Sequence, residues 1–209
     1  MNYNLIVDTS RKGISMALCA DSVYEEMVDP SAKGEILSAS LDTLLSKVGA
    51  TLDDVKRVMV TVGPGSFSGL RTGVAFCQGL CFSGKRNLYG VTTLQALACF
   101  SGVADNDTAV VIRARNGFWY LRLNGKESFI ETAEVIERLN ASVVTKAVVD
   151  AAVLADEALA TIFKDKGIPT ILDTDKKLNM WSPLFDTVKP SLIQEANYIQ
   201  PSYFEKLKT

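Results

Sequence analysis

Val58-Met59-Val60-Thr61-Val62-Gly63-Pro64-Gly65-Ser66-Phe67-Ser68-Gly69-Leu70-Arg71 is the stretch whose reading decides the fold. An apolar run, 58–62, meets a Gly-Pro-Gly turn and opens onto a long apolar segment that ends near Ser83. That order reads as strand, tight loop and helix. Pro64 fixes its own φ, while Gly63 and Gly65 can take backbone angles that disfavour other residues. Ser66 is the expected N-cap. The glycines have two uses here. A loop of this kind points backbone N–H groups outward at a helix N-terminus, which suits an anion. Equally, Gly65, Gly69, Gly73 and Cys77 recur every four residues, as do the small pairs Ser68, Thr72 and Ala75, Gly79, so the helix can pack very closely on its neighbours. It is not a nucleotide-binding P-loop, which ends in Gly-Lys-Ser/Thr; here the corresponding residues are Gly69-Leu70-Arg71-Thr72.

Upstream, residues 4–7 form a short apolar run ending at Asp8, a strand with a carboxylate at its C-terminal end. A polar turn, 9–13, leads to alternating apolar residues Ile14, Met16 and Leu18, and a third strand is expected over 22–28. After a loop at 30–34, Ile36, Leu37, Leu41, Leu44, Leu45 and Val48 lie on one helical face, stopped by Gly49. Downstream, a strand over 88–91 precedes a helix that Thr92 or Thr93 starts and that ends near Phe100. Beyond a loop at 101–107 the order repeats. Strands are expected over 109–114, 118–123 and 128–130, with Asn116-Gly117 the strongest hairpin signal and Asn124-Gly125 a second turn. A helix over 132–139, a strand over 143–149, a helix over 151–166, a strand over 170–172 and a short helix near 191–196 complete the pattern. Both halves therefore read β-β-β-α-β-α-β-α. The fold class is a duplicated α/β architecture of the actin-like ATPase kind, with a cleft between two lobes. The expected domains are 1–104, a smaller lobe over 105–189, and a tail, 190–209, packing back on the first lobe.

The 209 residues are 47% hydrophobic and 22% charged, with a formal net charge of −2. That is an ordinary globular balance and gives no bulk electrostatic case for nucleic acid or an anionic membrane. No apolar run approaches the roughly 20 residues of a membrane span, and the start of the chain lacks the features of a signal peptide, so a cytoplasmic protein is expected. Cys19, Cys77, Cys81 and Cys99 sit in apolar segments and read as reduced thiols. The sequence has no histidine. That excludes a Ser-His-Asp triad, a Cys-His pair, an H-E-x-x-H zinc peptidase and any imidazole proton shuttle.

In an actin-like duplication, nucleotide lies in the cleft and carboxylates near the strand ends of both lobes hold hydrated magnesium. Asp8 is the first lobe's candidate, with Thr9, Ser10, Gly63, Gly65 and Ser66 as phosphate donors; Asp8 reads equally as a turn-capping carboxylate. The equivalent place in the second lobe is Arg113-Ala114-Arg115-Asn116-Gly117, which has no carboxylate. Arg113 and Arg115 read either as hairpin-edge charges or as contacts for an anion or an acidic partner. The two helices of the first lobe offer more apolar surface than one sheet face needs. Either the surplus meets another subunit or the tail covers it.

Residues Ile6-Val7-Asp8-Thr9-Ser10, the whole segment from Gly63 to Leu80, Gly90-Val91-Thr92-Thr93-Leu94-Gln95-Ala96-Leu97-Ala98 and the terminal Pro201-Ser202-Tyr203 resemble the TsaB (YeaZ) family. The resemblance places it in the glycoprotease-like branch of the actin/Hsp70/sugar-kinase superfamily. The resemblance covers the full length, densely as far as Phe100. It implies a non-catalytic subunit of the tRNA threonylcarbamoyladenosine machinery. Such a subunit pairs with a TsaD-like catalytic paralogue, works with a TsaE-like ATPase, pairs with itself when alone, and meets tRNA only through the complex. The helical surface it implies carries Ile36, Leu37, Leu41, Leu44, Ser68, Gly69, Arg71, Thr72, Gly73 and Phe76. No cofactor of its own is implied, with ATP or ADP at the complex interface left open. The alternatives are an ATP-binding enzyme of the actin-like class and a glycoprotease-like peptidase. Three positions depart from the family: Lys33-Gly34-Glu35 where His-Ser-Glu is frequent, Ala39 where Pro is, and Arg113 where many relatives have Asp.

Overall fold

A computed structural model describes residues 1–20, 22–32 and 34–199. The chain forms two compact units: 1–93 with 177–197, and 94–176 with Tyr198 and Ile199.

The first unit is built on a five-stranded sheet of β1 (Tyr3–Asp8), β2 (Ile14–Ala20), β3 (Val23–Asp29), β4 (Val55–Gly63) and β5 (Asn87–Thr92), in the order β3-β2-β1-β4-β5. β1, β2 and β3 form an antiparallel meander, while β4 and β5 run parallel to β1, with Ile6 opposite both Ala17 and Met59. Parallel strands are buried on both faces, and each face has its own cover. On one, α1 (Leu37–Lys47) and α2 (Phe67–Cys81) pack Leu37, Leu41, Leu44, Val74 and Cys77 onto Leu5, Val7, Met16, Val58 and Val60. The spacing i, i+4, i+7 puts these side chains on a single stripe of each helix. α1 stops where Gly49 turns left-handed at φ +64°. On the other face, a 3-10 turn at Leu178–Trp181 packs on β2, and Phe185 meets Tyr89 edge-on at 5.1 Å. Residues 177–197 are therefore part of this unit's structure. The expected helix near 191–196 does not form. That segment is irregular: the Ser191 N–H donates to Leu88 O, the Asn197 N–H to Val62 O, and the Gln78 side chain to the carbonyls of Leu192 and Gln194. Backbone groups used in this way are not available to a helix. Residues 200–209, which include Pro201-Ser202-Tyr203, lie outside the described residues, as does Lys33.

The second unit repeats the topology. β6 (Thr108–Arg115), β7 (Phe118–Leu123), β8 (Lys126–Glu131), β9 (Lys146–Val149) and β10 (Thr170–Leu172) lie in the order β10-β9-β6-β7-β8. α4 (Thr132–Asn140) and the pair α5 (Ala151–Ala155) and α6 (Glu157–Asp165) cover Val111, Leu121, Ala147 and Val149. α3 (Thr93–Phe100) adds Leu94 and Leu97 to the cluster around Val110, Ile112 and Tyr120. The single helix expected over 151–166 is two, because the Asp156 carboxylate accepts the Leu159 N–H and starts a new helix. No long helix follows β10 among the described residues; α7 (Leu184–Thr187) is four residues long and belongs to the first unit. Asn116-Gly117 and Asn124-Gly125 both form two-residue turns, but only Asn124 joins its glycine at positive φ, 51° and 72°. The mirror-image turn is therefore at the second pair, while a bulge in β6 absorbs the first.

Candidate functional site

The candidate nucleotide residues come together, but they bind one another. Asp8 ends β1 and is 3% exposed. Its Oδ1 accepts the Ser10 N–H at 3.0 Å, the Ser10 hydroxyl at 2.6 Å and the Thr61 hydroxyl at 2.9 Å. The carboxylate thereby shapes its own turn and ties it to β4. The turn then presses onto α2. A Cβ on Gly65 would lie 2.1 Å from Ser10 O, one on Gly69 2.2 Å from Thr9 O, and one on Gly73 2.1 Å from Thr9 Oγ1. The Ser66 N–H, expected to point outward at an anion, donates to Ser10 O at 2.7 Å. Ser66 is the N-cap, its hydroxyl accepting the Gly69 N–H. Gly63, at φ +113° and joined to Pro64 by a cis peptide bond, lies against the Asn197 carbonyl. Close packing is what these glycines do here.

The second unit holds a strand-end carboxylate that the sequence reading passed over. Asp150, 6% exposed after β9, accepts the Arg113 N–H at 2.8 Å and the Val153 N–H at 3.2 Å. It caps α5 and fixes the end of β6. The Arg113 guanidinium bonds Asn116 within its own hairpin, and Arg115 lies 4.4 Å over the Phe118 ring. Both are exposed hairpin charges.

The expected partner surface needs correction. Leu37, Leu41 and Leu44 are core residues under α1, 4% exposed or less, so they form no surface. Gly73 is buried against Thr9, and Ile36 and Phe76 are half-buried against the same core. Amphipathic spacing is satisfied by the chain's own sheet. What faces outward on α2 is Ser68, Arg71, Thr72, Ala75 and Gly79, bracketed by Phe67 and Phe82 at 59% and 82% exposure, with Gly69 half-exposed beside them. Ser38, Ala39, Asp42 and Thr43 face outward on α1. Phe67 and Phe82 carried no signal in sequence, because a helical aromatic reads as core until the register against the sheet is known. Cys77 and Cys81 lie on the inward face, where burial holds the Cys77 thiol well above its ordinary range and pushes Cys81 to about 11. Both are inert protonated thiols at neutral pH.

Beside the turn, a cavity of about 560 Å³ opens between residues 9 and 11–14, residues 30–32, 34 and 35, and the start of α2. Arg11, Lys12, Ser31, Glu35, Ser68 and Thr72 are among its lining residues.

Residues 32–162 match the model of the family described as TsaD, tRNA N6-adenosine threonylcarbamoyltransferase. The chain belongs to the TsaD family. Within it, the chain is similar to the tRNA threonylcarbamoyladenosine biosynthesis protein TsaB of Escherichia coli (strain K12), 29% identical over 96 residues, 45% of this chain and 42% of that protein. It is likewise 29% identical to TsaB of Bacillus subtilis (strain 168) over 122 residues, 57% of this chain and 53% of that protein. These matches span about half the length of the curated relatives. The fold is that of a Pseudomonas aeruginosa protein with similarity to peptidase YEAZ, at a TM-score of 0.72 and 20% identity, covering 96% of this chain and all of that one. The resemblance to TsaB (YeaZ) and the duplicated α/β fold expected from sequence are both borne out.

Proposed function

We propose that this chain is a non-catalytic subunit of a tRNA threonylcarbamoyladenosine-forming complex, docking its α2 and α1 faces onto a TsaD-like catalytic paralogue. The observation that carries this reading is the outward face of α2. Ser68, Thr72, Ala75 and Gly79 leave the helix backbone open to close approach, with Phe67 and Phe82 standing exposed at its ends. Small residues flanked by large apolar ones let a second helix pack closely, and two exposed phenylalanines on one helix are characteristic of a contact surface. The residues that would serve nucleotide chemistry favour the same reading: Asp8 and Asp150 are both spent on internal hydrogen bonds. A TsaE-like ATPase joins the assembly, tRNA reaches this chain only through it, and docking needs no cofactor resident in this chain.

The test is co-expression with the TsaD-like protein of the same organism. Ala75→Arg places a long cation on an exposed position with no core contact, so the variant folds normally, with stability within about 0.5 kcal/mol of the parent. Loss of co-elution at unchanged melting temperature is expected. Undiminished co-elution of Ala75→Arg and Gly79→Arg overturns the reading.

A further inference from the structure

We propose that the surface meeting the TsaD-like partner runs from α2 onto the irregular segment Ser191–Asn197, where Leu192 and Ile193 form a second apolar anchor beside Phe67 and Phe82. This rests on the docking reading above and adds to it a contact outside the two helices.

Helix geometry sets which way the exposed phenylalanines point. At about 3.6 residues per turn, Phe67, Arg71, Gln78 and Phe82 fall within roughly 60° of one another around α2. What α2 touches at its two edges fixes what that stripe faces. On the far edge, Gly69 and Gly73 lie against the β1–β2 turn, and Thr72 against Gly34. On the near edge, the Gln78 Nε2 donates to Leu192 O and Gln194 O, both at 3.3 Å. The phenylalanine stripe therefore borders the segment 191–197, on the side of the sheet that ends in β5. α1 packs on β2 and β3, toward the opposite edge. Arg71 is the one charged residue of α2, and it lies 5.3 Å over the Phe67 ring.

The segment is irregular, yet it is fixed. The Ser191 N–H donates to Leu88 O at 2.9 Å and the Asn197 N–H to Val62 O at 2.6 Å. The Gln194 Nε2 donates to Ser191 O at 2.8 Å, and the Ser191 hydroxyl to Ile193 O at 3.0 Å. A Cβ on Gly90 would overlap the Gln194 side chain, so β5 is shaped to receive it. A segment that merely covered an edge strand would bury its apolar side chains. This one turns its polar groups to β5, to α2 and to itself, and leaves Leu192 43% and Ile193 75% exposed.

Among the described residues of the first unit, seven large apolar side chains are exposed, and four of them are Phe67, Phe82, Leu192 and Ile193. Such side chains scattered singly are ordinary, but a cluster marks a contact. A backbone fixed beforehand also spares the ordering that binding otherwise costs. The partner it fits is an amphipathic helix. A helix is about 10 Å across, so one seated over Ala75 and Gly79 reaches past Gln78 to this segment, with its large aliphatic side chains meeting both anchors.

The test is titration of the full chain with the TsaD-like protein of the same organism. Ile193→Asp changes an exposed side chain, so the melting temperature is expected to hold while association weakens about thirtyfold, the effect of losing an interface anchor. Ile193→Ser is expected to weaken it less. Gln78→Met removes the donor that positions the segment. It is expected to weaken association about fivefold and to speed amide exchange at residues 191–197. Loss of binding in Ala75→Arg with parental affinity in both Ile193 variants leaves docking through α2 standing and overturns this proposal. Parental affinity in Ala75→Arg and Ile193→Asp alike overturns the docking reading and this proposal with it. An Ile193→Asp effect confined to self-association of the chain, read by sedimentation, assigns the segment to a second copy and also overturns the proposal.

Discussion

Thr9 and Gly73 meet so closely that a single added carbon on Gly73 would lie 2.1 Å from the Thr9 hydroxyl oxygen. With Gly65 under Ser10 and Gly69 under the Thr9 carbonyl, this contact makes the glycine ladder of α2 a track on which the β1–β2 turn rests. The track explains how one helix has two faces. The turn and the sheet take Leu70, Gly73, Val74 and Cys77, which leaves Ser68, Thr72, Ala75 and Gly79 to look outward. The same segment gives the chain its core and its proposed docking surface.

The track predicts opposite effects for one substitution at two glycines of one helix. Alanine in a helix interior is favoured over glycine by about 1 kcal/mol. At Gly79 nothing lies within 4 Å of the new carbon, so Gly79→Ala is expected to stabilise by up to that amount. At Gly69 the new carbon meets the Thr9 backbone carbonyl at 2.2 Å, which no side-chain rotation relieves. Gly69→Ala is expected to destabilise by about 1–3 kcal/mol, the range of an overpacked core. Urea denaturation of both variants decides; equal effects of the same sign would contradict the ladder.

Much of the fold was legible in sequence because its signals are local. Alternation at Ile14, Met16 and Leu18 gave β2, and Ser66 before a long apolar segment gave the start of α2. Where the reading missed, the deciding partner was distant. The segment from Ser191 to Ala196 has a helical composition, but its N–H and C=O groups are taken by Leu88 and Gln78. Asp156 reads as one more polar residue in a helical run until it is seen accepting the Leu159 N–H. Periodicity places Leu37, Leu41 and Leu44 on one stripe, yet it does not say whether that stripe meets the chain's own sheet or a neighbour. Asp8 was legible as a turn carboxylate from the polar residues that follow it. The cavity was not, because Arg11, Ser31 and Thr72 come from three segments that only the fold brings together.

Leu41 separates folding from docking. It is 4% exposed in the cluster with Leu5 and Met16. Leu41→Ala is expected to lower stability by about 2–5 kcal/mol, the range for a buried leucine truncated to alanine. Ala75→Arg, on the outward face of the neighbouring helix, is expected to leave it unchanged. A Leu41→Ala chain as stable as the parent would return Leu41 to the surface.

Arg86 is a cation used as a clamp. It is 8% exposed, and its Nε and Nη2 donate to the Leu52 carbonyl at 3.2 and 2.7 Å while Nη1 donates to the Leu80 carbonyl at 3.1 Å. It thereby joins the last turn of α2 to the turn that precedes β4. Arg86→Met keeps the stem and leaves two carbonyls without this donor, each at about 1–3 kcal/mol. A total loss of about 2–6 kcal/mol in urea denaturation is expected, with Arg86→Lys intermediate because one ammonium cannot span both carbonyls. A loss under about 1 kcal/mol for Arg86→Met would show that water replaces the guanidinium.

The buried thiols set an alkaline limit to stability. Burial is the main cause that raises Cys81 from 9.0 to about 11, partly offset by the Arg86 charge. Cys19 rises from 9.0 to about 11, again chiefly by burial and then by the Glu26 carboxylate, with a hydrogen bond from Ser182 acting the other way. In the unfolded chain both thiols ionise near their ordinary value, so above about pH 9 the unfolded state releases protons that the folded state still holds. Stability from these groups is thus complete below pH 9 and is lost progressively as pH rises towards 11. Urea midpoints are expected to be level between about pH 7 and 8.5 and to fall from about pH 9 upward. Cys81→Ala is expected to make that fall shallower, even though the truncation lowers the midpoint at neutral pH. A slope that both Cys81→Ala and Cys19→Ala leave unaltered would assign the alkaline loss to other groups, first the Cys77 thiol and then the Tyr24 phenol, since burial raises both.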